Sequence, residues 1–117
     1  MKFLCTKNKL QESIFTVQKA ITGRSSMPVL NGILLEAYKD TVKLTGSDID
    51  LSIITTIQTE VKEEGAVVID SRIFGDIIRK LPNDNIYIST TENNSVEILC
   101  QKSKFNIIHM NAEDFPE

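Results

Sequence analysis

The sequence predicts an α+β domain in which two amphipathic helices pack on antiparallel sheets, and three observations predict it. Two stretches carry apolar residues at helical spacing: Leu10, Ile14, Val17 and Ile21, then Ile73, Phe74, Ile77, Ile78 and Leu81. The other apolar residues sit in short extended runs, the most regular being the alternation from Ile49 to Val61. The joins between the last runs, Glu92-Asn93-Asn94-Ser95 and Lys102-Ser103, are hairpin length. Parallel neighbours would need crossovers of a dozen residues or more.

In order, Met1 to Thr6 reads as a short strand and Lys7 to Ile21 as the first helix, with Phe15 widening its apolar stripe. Thr22-Gly23 is expected to stop that helix, Gly23 supplying a left-handed cap. A Gly-Arg-Ser-Ser loop follows, its direction set by Pro28. Ile33 to Lys39 is apolar on both faces and therefore expected to be covered. Thr41 to Thr45 turns Val42 and Leu44 inward, and Ile49 to Val61 reads as one long half-buried strand. Ala66 to Asp70 is a short strand, with Asp70 or Ser71 capping the second helix and Pro82-Asn83-Asp84 ending it. Ile86–Thr91, Val96–Gln101 and Lys104–Met110 complete an antiparallel meander. The second half thus repeats the architecture of the first, though not its residues. The last residues, Glu113 to Glu117, read as a linker, because Pro116 cannot extend a ladder.

At 117 residues this is one domain, and with no Trp and 6% aromatics its core must be aliphatic. The net charge of −3 argues against a sequence-specific DNA reader, which carries a basic surface. The charges are nevertheless segregated. Lys7, Lys9, Lys19, Arg72, Arg79 and Lys80 share the helix layer with only Glu12 and Asp76, whereas Glu36, Asp50, Glu60, Glu63, Glu64, Glu92 and Glu97 fall on strands and turns. Cys5 and Cys100 sit in apolar runs as buried small hydrophobes, too far apart in sequence for a metal knuckle or a redox pair. No secretory signal or run of membrane-spanning length is visible, so the chain reads as soluble and cytoplasmic, with no membrane partner.

Little in the sequence suggests catalysis. His109 is the single histidine and lies in a terminal strand; Asp48 and Asp50 lack the glycine and closing glutamate of a calcium loop; Gly23-Arg24-Ser25-Ser26 lacks the residues of a nucleotide cradle. No cofactor, metal site or enzymatic activity is expected. Two arginines stand out: Arg24 in a loop of small residues, where a guanidinium reaches a phosphate unobstructed, and Arg72 at a helix start, where backbone N–H groups favour an anion.

Met1-Lys2-Phe3, Gly23-Arg24, Met27-Pro28-Val29-Leu30-Asn31-Gly32-Ile33-Leu34-Leu35 and Leu44-Thr45-Gly46-Ser47-Asp48-Ile49-Asp50, followed in order by Gly65 to Arg72, Ile77 to Pro82, Lys104-Phe105 and Ala112 to Pro116, resemble the bacterial sliding clamp, the β subunit of DNA polymerase III. The resemblance spans the chain, and the ordered set is specific where no single motif is. It implies a DNA-clamp fold and the first of three similar domains, from a head-to-tail homodimer whose ring encircles duplex DNA as a processivity factor. It places DNA contacts at Arg24 and Arg72, and Arg79 joins them as a candidate on the same basic layer. It places the subunit interface on the strand bearing Lys102, Lys104, Phe105 and Ile107, where the family often has arginines instead of these lysines. Polymerase and clamp loader would bind through domains absent here. The alternative is a stand-alone protein-interaction module pairing through that C-terminal strand edge.

Overall fold

The computed structural model describes residues 1–116; Glu117, the end of the expected linker, lies outside the described residues. The chain forms β1 (Lys2–Thr6), α1 (Lys7–Gln18), a 3-10 turn (Pro28–Asn31), β2 (Gly32–Tyr38), β3 (Thr41–Ser47), β4 (Ser52–Gln58), β5 (Glu60–Glu63), β6 (Gly65–Asp70), α2 (Ser71–Lys80), β7 (Asn85–Thr90), β8 (Ser95–Cys100), β9 (Ser103–Ile108), β10 (Met110–Asn111) and a closing 3-10 turn (Ala112–Asp114). Two five-stranded sheets result, ordered β5-β1-β7-β8-β9 and β10-β6-β2-β3-β4. Every strand pair is antiparallel.

This order is a strand exchange between halves. Each half runs strand, helix, three-stranded meander and short closing strand. The opening strand of the first half, β1, lies beside β7 of the second, and the opening strand of the second, β6, lies beside β2 of the first. Neither half can therefore keep its own sheet without the other, and the main core is shared between them. Phe3, Cys5, Ile86, Ile88, Val96 and Ile98 from one sheet meet Ile33, Leu35, Val42, Leu44, Val67 and Ile69 from the other, with Leu10, Ile14, Val17, Phe74 and Ile78 from the helices. The dual apolarity of β2 has the expected cause. Ile33 and Leu35 enter this core, while Leu34 turns to a second cluster of Val29, Leu30, Val68 and Phe115. Phe115 is 8% exposed, so the segment expected to be linker folds back onto the domain up to that residue.

The long strand expected from Ile49 to Val61 is broken twice. Asp48 to Leu51 is a turn in which the Asp48 carboxylate accepts from the Asp50 and Leu51 amides at 2.8 and 2.7 Å, leaving Ile49 87% exposed. At Thr59 the chain changes sheets: Gln58 pairs with Thr41 in one, and Glu60 pairs with Leu4 in the other. Thr59 bridges the step, its N–H donating to the Asp40 carbonyl and its hydroxyl to the Leu4 carbonyl. A period of two reports which face a side chain takes, not which neighbour the backbone pairs with, so alternation survives the crossing unmarked.

α1 also ends earlier than expected. Thr6 caps its start, its hydroxyl accepting from the Lys9 amide. Its last turn closes at Lys19, whose N–H reaches the Thr16 and Val17 carbonyls. Gly23 has φ +75° but lies in the following loop, where it turns the chain and caps nothing. Phe15 does not widen the apolar stripe. At about 100° per residue it points well away from the Leu10–Ile14–Val17 line. Ser13 is buried instead, and Phe15 is 64% exposed.

Candidate nucleic-acid interface

α1 and α2 lie antiparallel in contact, and two side chains fix their register. At one end Gln18, the last residue of α1, donates through Nε2 to the carbonyl of Ser71, the first of α2 (3.1 Å). At the other end Lys7, the first residue of α1, donates through Nζ to the Arg79 and Leu81 carbonyls at 2.9 and 2.6 Å. Lys7 is thus not one of the free cations that the helix layer was expected to display. It satisfies two of the carbonyls left open where α2 ends and sets a positive charge against the negative pole of the helix. Lys7→Met keeps the alkyl stem and removes the charge. It is expected to lower unfolding free energy by about 1–2 kcal/mol, read as a lower urea midpoint at unchanged slope.

The N-terminus of α2 is capped by Asp70, whose carboxylate accepts from the Ile73 amide at 3.0 Å. Arg72 follows in the first turn and is exposed. Arg24 is exposed in the loop after α1, where its N–H donates to the Thr22 hydroxyl at 3.2 Å. Gly23, the chain neighbour of Arg24, lines one open cleft of about 690 Å³ together with Thr22, Asn31, Arg72, Ile73 and Asp76. The loop carrying Arg24 and the first turn of α2 therefore share a surface. Among the described residues, the ion pairs are Lys43–Glu36, Arg79–Asp76 and Lys104–Glu97. Neither Arg24 nor Arg72 is in one. Arg79 stands about 10 Å further along α2, by the rise of seven helical residues. It is exposed but holds Asp76 at 2.7 Å, which offsets part of its charge. A second groove, of about 720 Å³, runs between the helices from Asn8 to Gln18 on α1 and from Gly75 to Arg79 on α2.

The strand expected at the subunit boundary is an edge. β9 pairs only with β8, so its other side offers unpaired N–H and C=O groups. Lys102 is exposed in the turn before it, and Lys104 is exposed with Glu97 at 3.6 Å. Phe105 and Ile107 face inward and pack against the core, while Ile108 is 73% exposed. What this edge offers a partner is main chain and the Lys104–Asn106–Ile108 face; Phe105 and Ile107 hold the strand to the domain.

The remaining candidates are quiet. Cys5 and Cys100 are buried free thiols. The His109 Nδ1 lies 3.0 Å from the Met110 carbonyl oxygen, where the chain crosses from β9 to β10. Among the described residues no group of three or more His, Cys, Asp or Glu is placed to hold a metal, and no helix is long and apolar enough to cross a membrane. The feature that sequence reading missed is the exposed ring of Phe15. Its position on the helical wheel was the available signal.

Comparison with known proteins agrees with this geometry. Residues 1–117 match the family described as DNA polymerase III beta subunit, N-terminal domain. The beta sliding clamp of Bacillus subtilis (strain 168) is 34% identical over 124 residues, covering 99% of this chain and 33% of the relative. Among solved structures, a DNA polymerase III beta subunit from Eubacterium rectale ATCC 33656, described as putative, superposes with a TM-score of 0.96 at 37% identity, covering 100% of this chain and 32% of that one. The Helicobacter pylori beta clamp bound to a DNA ligase peptide superposes at 0.93 with 30% identity, covering 100% of this chain and 33% of that one. The chain spans about a third of the length of the relatives it matches. Two exchanged halves, a paired-helix layer and a match over its whole length together establish that this chain belongs to the bacterial sliding-clamp family, as an N-terminal domain of the DNA polymerase III β subunit.

Proposed function

We propose that this chain is the first of three clamp domains of a longer protein, and that the protein forms a head-to-tail homodimeric ring around duplex DNA and tethers the replicative polymerase there. The observation that carries the reading is the helix layer. Of two antiparallel helices, α2 presents exposed Arg72 and Arg79 and α1 presents exposed Lys9, with the loop of Arg24 opening onto the cleft at Arg72, on a chain that is acidic overall. A ring that slides needs phosphate attraction without base reading, and the guanidinium groups of Arg24 and Arg72, in none of the ion pairs among the described residues, supply it, with Arg79 adding the charge that Asp76 leaves uncompensated. The ring performs no chemistry in this reading; its role is topological. The free edge of β9 supports a strand-to-strand subunit contact through its main chain, with Lys102 and Lys104 exposed beside it and Phe105 and Ile107 holding the strand in place from the core side, and with polymerase and clamp loader engaging the other domains.

The test is Arg24→Ala with Arg72→Ala in the full-length protein. Duplex affinity is expected to fall by the same factor on unrelated sequences, and the slope of log affinity against log salt to shrink by about one unit per lost phosphate contact. A loss confined to particular sequences would overturn the reading. The free β9 edge also fits a second reading, a module that only pairs strands with a protein partner. That reading requires a protein with no salt-dependent affinity for DNA.

A further inference from the structure

Sliding by phosphate contact leaves one feature of the helix layer unused. Phe15 projects from α1 with 64% of its surface exposed, into the groove between the helices. The Lys19 ammonium lies 5.1 Å from the ring centroid. Around the ring the groove is lined by the amides of Asn8, Gln11 and Gln18 and by Arg79, with Glu12 its one carboxylate. At Gly75 the missing side chain lets Gln18 lie close over α2, where a Cβ would meet the Gln18 Nε2 at 2.7 Å.

We propose that this groove is a binding site for an unpaired nucleobase of single-stranded DNA, with Phe15 as its stacking platform. Three features select that occupant. Lys9, Lys19, Arg72, Arg79 and Lys80 outnumber Glu12 and Asp76 on the layer while the whole chain is at −3, so the surface favours a polyanion. An exposed ring beside cations is the arrangement that holds successive bases of a single strand, because every base has a π-face whatever its identity. The carboxamides have both donors and acceptors, which suits the edge of a base whose pairing partner has been removed. Bases inside a duplex are already stacked and paired and present no face to a ring, so the site distinguishes single-stranded stretches and junctions from uniform duplex. The proposal rests on the nucleic-acid reading above and adds a preference to it.

The test uses the full-length protein, its Phe15→Ala and Phe15→Tyr variants, a short single-stranded oligonucleotide carrying 2-aminopurine, and a blunt duplex. Phe15 is exposed, so neither variant should shift the thermal midpoint. The parent and Phe15→Tyr are expected to change the 2-aminopurine fluorescence on binding. Phe15→Ala is expected to bind the single strand about tenfold more weakly and to lose that change, while duplex affinity, carried by the arginines, does not follow it down. Equal single-strand binding by the parent and Phe15→Ala, with duplex binding intact, overturns the stacking site and leaves the ring reading standing. A parent that binds neither probe overturns both.

Discussion

Gly46→Ala is expected to destabilise the domain by about 3 kcal/mol, although it adds one methyl group to a strand. Gly46 lies in β3, and a Cβ there would sit 2.2 Å from the Val17 carbonyl oxygen and 2.9 Å from its carbon. Both are backbone atoms, in the last turn of α1. That turn is held by the Ala20 N–H on the same carbonyl at 3.1 Å, so it cannot swing aside without losing its closing hydrogen bonds. The helix would have to lift from the sheet, opening the contacts of Val17, which is 0% exposed. Gly75→Ala is the matched control. Its Cβ meets the Gln18 Nε2 at 2.7 Å, the far end of a flexible side chain. Alanine gains about 1 kcal/mol of helix propensity there and gives up a hydrogen bond of similar worth from Gln18 to Ser71, for a near-neutral result. Urea denaturation of the two variants measures the difference, and equal midpoints would show that the α1–β3 approach is loose.

Stability is expected to fall steeply above pH 9, with Cys5 as a principal cause. Its thiol is 4% exposed in β1, and burial pushes its pKa up to about 12 against the weaker pull of Lys9. The charged thiolate is the disfavoured form, so the folded chain keeps its proton where the unfolded chain releases one. Stability from this group is therefore complete below the unfolded pKa near 9 and is lost as pH rises toward 12. The slope approaches about 1.4 kcal/mol per pH unit for one proton. Cys5→Ala costs some packing at neutral pH but removes that slope. Unfolding free energies of parent and variant at a series of pH values from neutral to strongly alkaline should converge as pH rises. Parallel curves would exonerate the thiol. By the same burial, Cys5 should resist alkylation in the folded protein.

Much of the fold was legible because local chemistry dictates it. The stripes Leu10–Ile14–Val17 and Phe74–Ile77–Ile78 require helices, and Thr6 and Asp70 mark their starts. The doubly apolar run at Ile33 to Leu35 requires cover on both sides, which the structure provides. Arg24 and Arg72 stood out from loop and helix-start chemistry alone, and the acidic strands set against basic helices were visible in the order of charges. These are properties of a residue and its near neighbours along the chain, and they hold before any tertiary contact forms.

What only the tertiary structure decided is partnership. Alternation from Ser52 to Val61 could not reveal that Gln58 and Glu60 belong to different sheets, because the hydrogen bonds that part them come from Asp40 and Leu4, far along the chain. The exchange of β1 and β6 between halves is invisible for the same reason. Lys7 looked like any other surface cation until the end of α2 was brought against it, and Phe15 looked like core until Ser13 filled the space beside the stripe. Hydrophobic spacing specifies which side of an element is buried. Which carbonyl, edge or ring it meets depends on residues distant in sequence, and only packing the whole chain selects them.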